Sequence, residues 1–327
     1  MKYGTLPGIS KPISRLVQGT ASIPSPEREP VFENLDLALE YGFNTFDTAH
    51  VYGEKRESSI GAWVQERGVR DKVVILAKGA HHGREGKRVT PEAIASDMQE
   101  SMRRLQMDYL DLYVLHRDDP DVPVGPIVEA LNEHVKAGRI GAFGGSNWSY
   151  RRIAEANAYA AEHGLIPFAV SSPNYSLAEQ LEAPWADCIS ISGPQGDESR
   201  RYYSEHRADV ALFPWSSLAG GFFSGRFHRG DDLDAIKARG GFEENVARCY
   251  CSDDNYTRLE RAEQLAQQKG KSLAQIALAF VLCQPMNVFP LVFCANREQF
   301  AANVAALEIN LTPQELDWLD LKAETMG

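Results

Sequence analysis

The chain lacks any stretch approaching the roughly 18 consecutive apolar residues that a membrane-spanning helix needs. Its first residues, MKYGTLPGISKPIS, contain no apolar leader core, so a soluble, cytoplasmic protein is expected. It also lacks any Lys/Arg block: 34 basic against 45 acidic residues leave a net charge of −11. Such a surface repels nucleic acid and anionic membrane alike, so a small-molecule ligand is the expected partner. Cysteine is sparse and unpaired in pattern: Cys188, Cys249, Cys251, Cys283 and Cys294 form no CxxC and make an odd count. A disulfide framework and a zinc knuckle are thereby disfavoured, and reduced structural thiols are expected.

What is present is repetition. With 43% hydrophobic residues among 327, the chain can bury a large core. Eight short runs rich in Val, Ile, Leu and Phe recur at 14–19, 44–47, 73–78, 110–116, 140–144, 168–172, 210–215 and 288–292. A parallel strand buried on both faces reads as such a run rather than as an alternation. Amphipathic, helix-like segments separate the runs, the clearest at 29–41, 56–66, 91–105, 125–136, 150–162, 198–205, 272–282 and 298–307. Thr90-Pro91 and Thr312-Pro313 each place a capping hydroxyl before a proline at the first helical position, and Gly138 is a helix stop.

Eight strand-then-helix units with no Ser/Gly/Pro-rich linker predict an α/β fold: a single (β/α)8 TIM barrel over residues 1–327, with an N-terminal hairpin and extra C-terminal helices. A doubly wound sheet is the rival, but no GxGxxG turn follows a strand. Residues 216–253 are too long for an ordinary connection and carry LAGGFFSGRFHRG, which fits a loop covering ligand at the C-terminal mouth of the barrel.

In a barrel of this kind the reactive groups sit at the C-terminal ends of strands. Asp47 ends the second run, Tyr52 follows in DTAHVYG, Lys78 ends the third and His116 the fourth. A phenol ionises near pH 10, so acting as an acid at neutral pH requires a nearby cation that favours the phenolate, and Lys78 is placed to supply it. Asp47 would then hold Lys78.

At these residues the chain resembles the aldo-keto reductase superfamily, and the resemblance spans nearly its whole length. It rests on GFNTFDTAHVYG with ESSIG, ILAKG, DYLDLYVLHRDDP, KAGRIGAFGGSNWS, WSSLAGGFFSGRF and REQFAANVAAL. Together these are specific where any one would be weak. The resemblance implies that Asp47, Tyr52, Lys78 and His116 form a catalytic tetrad, with Tyr52 protonating a carbonyl oxygen while hydride arrives from NAD(P)H and His116 orients the substrate. It implies a nicotinamide over Trp215 with Ser146, Asn147 and Ser172 at its carboxamide, and Gly19 and Thr20 in the cofactor site. It further implies pyrophosphate near Ser216, Leu218, Gly220 and Arg226, and adenosine near Asn296, Arg297, Gln299 and Asn303.

The match has departures. Similar enzymes commonly carry glutamine where this chain has Ser172, often tyrosine where it has Trp215, and Pro-Gly where it has Val292-Phe293. Arg297 alone stands for the basic residues around the adenosine 2′-phosphate, so NADP is favoured with NAD as the alternative. Residues 184–196, PWADCISISGPQG, differ from the helix-bearing stretch expected after the sixth strand.

His50, His81, His82, Arg117, Asp118, Trp148 and Phe222 follow strand ends and are expected to line the substrate pocket. That polar lining with aromatic walls suits a hydroxylated aldehyde or ketone, such as a sugar or polyol carbonyl. The His81-His82 pair has no carboxylate or cysteine at ligand spacing, so no metal is expected. Two alternatives to an NADP-dependent carbonyl reductase stand beside it: an NAD-dependent alcohol or aldose dehydrogenase, and a cofactor-sensing regulatory subunit with little turnover.

Overall fold

A computed structural model describes residues 1–326. The strands are β1 (Tyr3–Leu6), β2 (Ile9–Ser14), β3 (Val17–Gly19), β4 (Thr45–Asp47), β5 (Val74–Gly79), β6 (Leu110–Leu115), β7 (Ile140–Ser146), β8 (Val170–Ser172), β9 (Ala211–Leu212) and β10 (Leu291–Val292). Helices α1 (Arg28–Glu40), α2 (Glu54–Arg67), α3 (Pro91–Leu105), α4 (Val124–Lys136), α5 (Tyr150–His163) and α6 (Asp197–Glu205) follow β3 to β8 in turn. After β9 come α7 (Leu233–Lys237), α8 (Gly241–Cys249), α9 (Asp253–Lys269) and α10 (Leu273–Leu282), and after β10 come α11 (Arg297–Ala306) and α12 (Pro313–Leu319).

Strands β10-β3-β4-β5-β6-β7-β8-β9 pair in parallel in that order. The circle closes where Leu212 bridges Val288: the Leu212 N–H donates to Asn287 O at 2.8 Å and the Phe289 N–H to Leu212 O at 2.7 Å. This is the expected (β/α)8 barrel. The antiparallel β1-β2 hairpin supplies the expected N-terminal addition, and its Leu6 and Ile13 plug the floor.

The period of two along each strand sorts the side chains. Val74, Leu76, Leu112, Val114, Ala142, Val170, Ala211 and Phe213 meet inside the barrel. Ile75, Ala77, Tyr113, Leu115, Phe143 and Leu212 join the larger core under the helices. Extending the inward set by one step reaches Lys78, His116, Ser172 and Trp215, and by two steps from Ala142 reaches Ser146, so the alternation itself carries these polar and aromatic groups to the C-terminal mouth.

The helix signals hold in detail. Thr90 Oγ1 accepts from Ala93 N at 3.3 Å, Thr312 forms a full capping box with Glu315, and Gly138 takes φ +70° just past α4. The run at 14–19 is split, Ser14 ending the hairpin and β3 beginning at Val17, and the run at 288–292 is a strand only at its end. Residues 216–253 hold a 3-10 turn at Ala219–Ser224 together with α7 and α8. The longest helix, α9, was not among the expected segments, because its exposed face is almost wholly polar. Its signals are nonetheless present: the Ser252 hydroxyl caps Asn255 N at 3.3 Å, and Gly270 ends it at φ +62°.

Candidate active site

Asp47 is the last residue of β4 and Lys78 the penultimate residue of β5, whose pairing places Asp47 beside Leu76. Both are almost fully buried, and Lys78 Nζ donates to Asp47 Oδ1. The same ammonium lies 3.5 Å from Tyr52 Oη and 3.4 Å from Thr48 O. His116 immediately follows β6, and its ring meets that of Tyr52 edge-on with centroids 6.1 Å apart. Residues from three successive strand ends therefore converge at one mouth.

Their electrostatics follow from burial against charge. Burial would drag the Lys78 ammonium down, but Asp47 and then Tyr52 outweigh it and hold Lys78 above its ordinary value. Burial pushes the Tyr52 phenol up; Lys78 pulls it back and Asp47 adds to the rise, so the group stays protonated at neutral pH. Burial, then the positive charges of Lys78 and Arg117, push His116 well below the usual imidazole range, which keeps the ring neutral. Its Nδ1 is buried without a protein partner. An unpaired buried acceptor or donor costs about 1–3 kcal/mol, so the atom calls for a partner supplied from outside the chain.

Tyr52 closes a 3-10 turn, His50–Tyr52, in which Tyr52 N donates to Ala49 O at 2.9 Å. That turn rests on an ion network between α2 and α3. Arg104 Nη1 donates to His50 O at 3.1 Å and to the buried Glu57 at 3.0 Å, and its Nη2 reaches Glu100 at 2.6 Å. His50 Nε2 meets the other oxygen of Glu100 at 2.7 Å. His50, expected in the substrate pocket, thus spends its ring on anchoring the turn that carries Tyr52.

The other expected pocket residues divide. His81 lies edge-on to His116 with centroids 4.8 Å apart. His82 pairs with Asp187 at 2.8 Å, and Arg117 is buried, donating to His116 O at 2.9 Å and Ala186 O at 3.2 Å. Asp118 faces Arg152 at 3.3 Å, and burial, opposed by Arg152, pushes its carboxyl up to about 6. Trp148 is fully buried with its indole N–H on Arg117 O, and Phe222 is fully buried against Phe223, Phe227 and Tyr256, so neither presents surface to a ligand.

The residues expected at the nicotinamide form one hydrogen-bonded group across β7, β8 and β9. Ser146 Oγ donates to Ser172 O at 2.8 Å, and Ser172 Oγ donates to Phe213 O at 2.6 Å. Having given their protons to backbone carbonyls, both buried hydroxyls keep only accepting capacity. Asn147, at φ +60°, donates from Nδ2 to His116 O at 3.2 Å and accepts on Oδ1 from the Trp215 indole N–H at 3.2 Å. Thr20 donates from Oγ1 to Asp47 O at 2.8 Å, beside Gly19 at the end of β3.

Beyond Trp215 the backbone turns left-handed at Ser216 (φ +53°), Ala219 (+52°), Gly220 (+63°) and Gly221 (+100°). For Ser216 and Ala219 that conformation is strained, and strain of this sort gathers at ligand sites. Leu218 precedes the 3-10 turn, and Arg226 lies 3.5 Å from Glu243 on α8. At the far end Asn296 caps α11 through Gln299 N at 3.0 Å, and Gln299 accepts from Ala295 N at 2.7 Å. Asn303 is buried on Cys294 Sγ, and Arg297 is ion-paired with Glu40 of α1. Among the described residues no cluster of three His, Cys, Asp or Glu side chains is arranged to hold a metal, and no helix is long and apolar enough to cross a membrane.

A buried ammonium, a phenol, a carboxylate and a neutral imidazole thus meet at the C-terminal mouth of a parallel barrel, the face on which such barrels carry their reactive groups. The sequence model of the Aldo/keto reductase family matches residues 15–324, and the chain belongs to that family. It is 29% identical over 310 residues to a probable aryl-alcohol dehydrogenase of Saccharomyces cerevisiae, covering 90% of this chain and 88% of that one. It is also 29% identical over 296 residues to a probable voltage-gated potassium channel subunit beta of Oryza sativa subsp. japonica, covering 88% and 85%. A crystal structure of a thermostable aldo-keto reductase superposes with a TM-score of 0.71 at 24% identity, covering 99% of this chain and all of the other, which supports the fold.

Proposed function

We propose that this protein reduces an aldehyde or ketone to an alcohol with a nicotinamide cofactor, Tyr52 giving the proton. The observation that carries this reading is the contact of the Tyr52 hydroxyl with the Lys78 ammonium at 3.5 Å, itself held by Asp47, at the barrel mouth. When bound, a reduced nicotinamide supplies hydride to the carbonyl carbon. Tyr52 passes its proton to the carbonyl oxygen, and Lys78 stabilises the phenolate left behind until solvent restores the proton. The neutral ring of His116 donates a hydrogen bond from an N–H to the substrate's carbonyl oxygen, a role its unpartnered nitrogen leaves open. Trp215 offers the stacking face for the nicotinamide, and the accepting hydroxyls of Ser146 and Ser172, with Asn147, receive its carboxamide. Gly19 and Thr20 border the same site, the strained turn at Ser216, Leu218 and Gly220 with Arg226 lies along the pyrophosphate, and Asn296, Arg297, Gln299 and Asn303 meet the adenosine.

NADP is favoured because the Arg297 guanidinium suits a 2′-phosphate chemically, yet it is already engaged by the Glu40 carboxylate, which it holds below its usual range. That carboxylate repels a phosphate and competes for the same donor. Replacing it, Glu40→Gln, should therefore raise the preference for NADP over NAD by about two- to fivefold, the scale of an exposed ion pair. Tryptophan-fluorescence titrations with both cofactors read the ratio, and an unchanged ratio would place Arg297 away from the 2′-phosphate.

The rice relative, described as a channel subunit, is the ground for a second reading as a cofactor-sensing subunit. Cofactor binding without turnover on a broad panel of carbonyls would select it.

A further inference from the structure

The connection from β8 to α6 leaves the barrel rim and returns across the mouth as a strap. Arg248 of α8 donates to Ala183 O at 3.2 Å and Pro184 O at 3.1 Å, and Ile189 N donates to Asn147 Oδ1 at 3.3 Å. Between these anchors Arg117, the residue after His116, reaches the strap from below. Its Nε donates to Ala186 O at 3.2 Å and its Nη1 to His116 O at 2.9 Å. The guanidinium is therefore held between the strap and the strand end that carries the imidazole of the tetrad.

Its charge has no counterpart. Arg117 is only 5% exposed, yet among the described residues no carboxylate pairs with it and its Nη2 makes no hydrogen bond. The acids nearest to it in the chain and the strap are committed elsewhere: Asp118 faces Arg152 at 3.3 Å, Asp119 faces Lys87 at 3.1 Å, and Asp187, beside Ala186, faces His82 at 2.8 Å. The two carbonyls satisfy N–H groups but do not neutralise a cation. A buried charge is costly unless it is paired, so a guanidinium in this position calls for an anion from outside the chain.

The charge balance of the mouth says which anion. Burial, then Lys78 and Arg117, lower His116, and burial, with Arg117 adding to it, lowers His81; the two rings meet edge-on with centroids 4.8 Å apart, and both are neutral. Asp47 balances Lys78. One positive charge is left over, in a chain whose net charge is −11. A single surplus guanidinium with free N–H groups matches a singly charged carboxylate.

We infer that Arg117 anchors a carboxylate carried by the substrate, so that the site reduces an oxo acid in preference to an uncharged carbonyl compound. The inference rests on the reductase reading and names its substrate class. It replaces the expectation of a sugar or polyol, because His50 and His82, expected in a polyol-binding lining, are occupied by Glu100 and Asp187.

The test measures kcat/KM for 4-oxobutanoate and for its methyl ester, which keeps the aldehyde and the carbon chain but loses the charge. Wild type should favour the acid by roughly ten- to a hundredfold, the range of a charged hydrogen bond, mainly through KM, and added salt should shrink the preference. Arg117→Gln should abolish the preference, whereas Arg117→Lys, which keeps a cation there, should retain at least about threefold. A merely structural role would lower acid and ester together and leave their ratio in place. Calorimetric titrations of butanoate and butanamide into protein saturated with oxidised NADP should show binding of the anion alone, and its loss in Arg117→Gln. A wild type that does not prefer the acid, or a preference that survives in Arg117→Gln, overturns the inference, while reduction of the uncharged 2-naphthaldehyde keeps the reductase reading standing. If no aldehyde at all is reduced, the reductase reading falls, and equal butanoate binding by wild type and Arg117→Gln then overturns the anion site as well.

Discussion

Replacing Tyr52 with phenylalanine should lower carbonyl reduction by about 10²- to 10⁴-fold while leaving cofactor affinity within about twofold, the range expected when a positioned general acid is removed. The ring of phenylalanine keeps the shape of the 3-10 turn and its edge contact with His116, so the change removes only the hydroxyl near Lys78. The pH dependence should agree. Because burial holds the phenol above its ordinary value, the donor is protonated through the neutral range, and reduction by the wild type falls only on the alkaline side as the phenol ionises. The low value of His116 means that protonation of this ring contributes no loss of activity near the ordinary imidazole range. Aldehyde-dependent oxidation of NADPH, followed by absorbance across pH, measures both effects. Retained activity in Tyr52→Phe would remove Tyr52 from the chemistry.

The second large effect concerns the Lys78–Asp47 pair. Removing one partner of a buried ion pair leaves an uncompensated charge, which typically costs about 3–5 kcal/mol. Lys78→Met should therefore destabilise the fold by about that amount, because Asp47 sits almost wholly inside the protein. Adding Asp47→Asn to Lys78→Met removes the stranded carboxylate and should recover most of the lost stability. Activity should not return, since the cation that stabilises the Tyr52 phenolate is still missing. Urea unfolding and turnover, measured on the two single variants and the double variant, separate the roles. A stable but inactive Lys78→Met, or an active double variant, would contradict the account.

The barrel was legible in the sequence because buried parallel strands announce themselves as short apolar runs, and because two of the tetrad residues lie one alternation step beyond the inward-facing residues of their runs. Lys78 continues Val74 and Leu76, and His116 continues Leu112 and Val114. Strand ends were less legible: β9 and β10 each form only two residues of regular ladder, since the barrel closes there through single bridges that no periodicity marks. Helix α9 was hidden by the polarity of its outer face, although Tyr256, Leu259, Ala262, Leu265 and Ala266 keep a helical spacing on the inner one.

Site residues divided by how they reach the mouth. Those carried by strands were readable from spacing, whereas those on connections depended on partners that the linear chain does not pair. His50 follows a strand end like any pocket residue, but Glu100, fifty positions later, turns it toward α3. Trp148 follows β7, but its indole is drawn inward to Arg117 O. The strap at 184–196 showed only as a departure from pattern. Its meaning depends on Arg117, His82 and Arg248, three residues from three different rim segments.

The most direct test of the central claim follows one atom. Wild-type protein is incubated with 2-naphthaldehyde and NADPH deuterated at nicotinamide C4, and the product is examined by mass spectrometry and NMR. The account predicts an alcohol carrying one deuterium on the former carbonyl carbon and an exchangeable solvent proton on oxygen, with product formation nearly abolished in Tyr52→Phe. Deuterium absent from that carbon, or an equal yield from the phenylalanine variant, would contradict it.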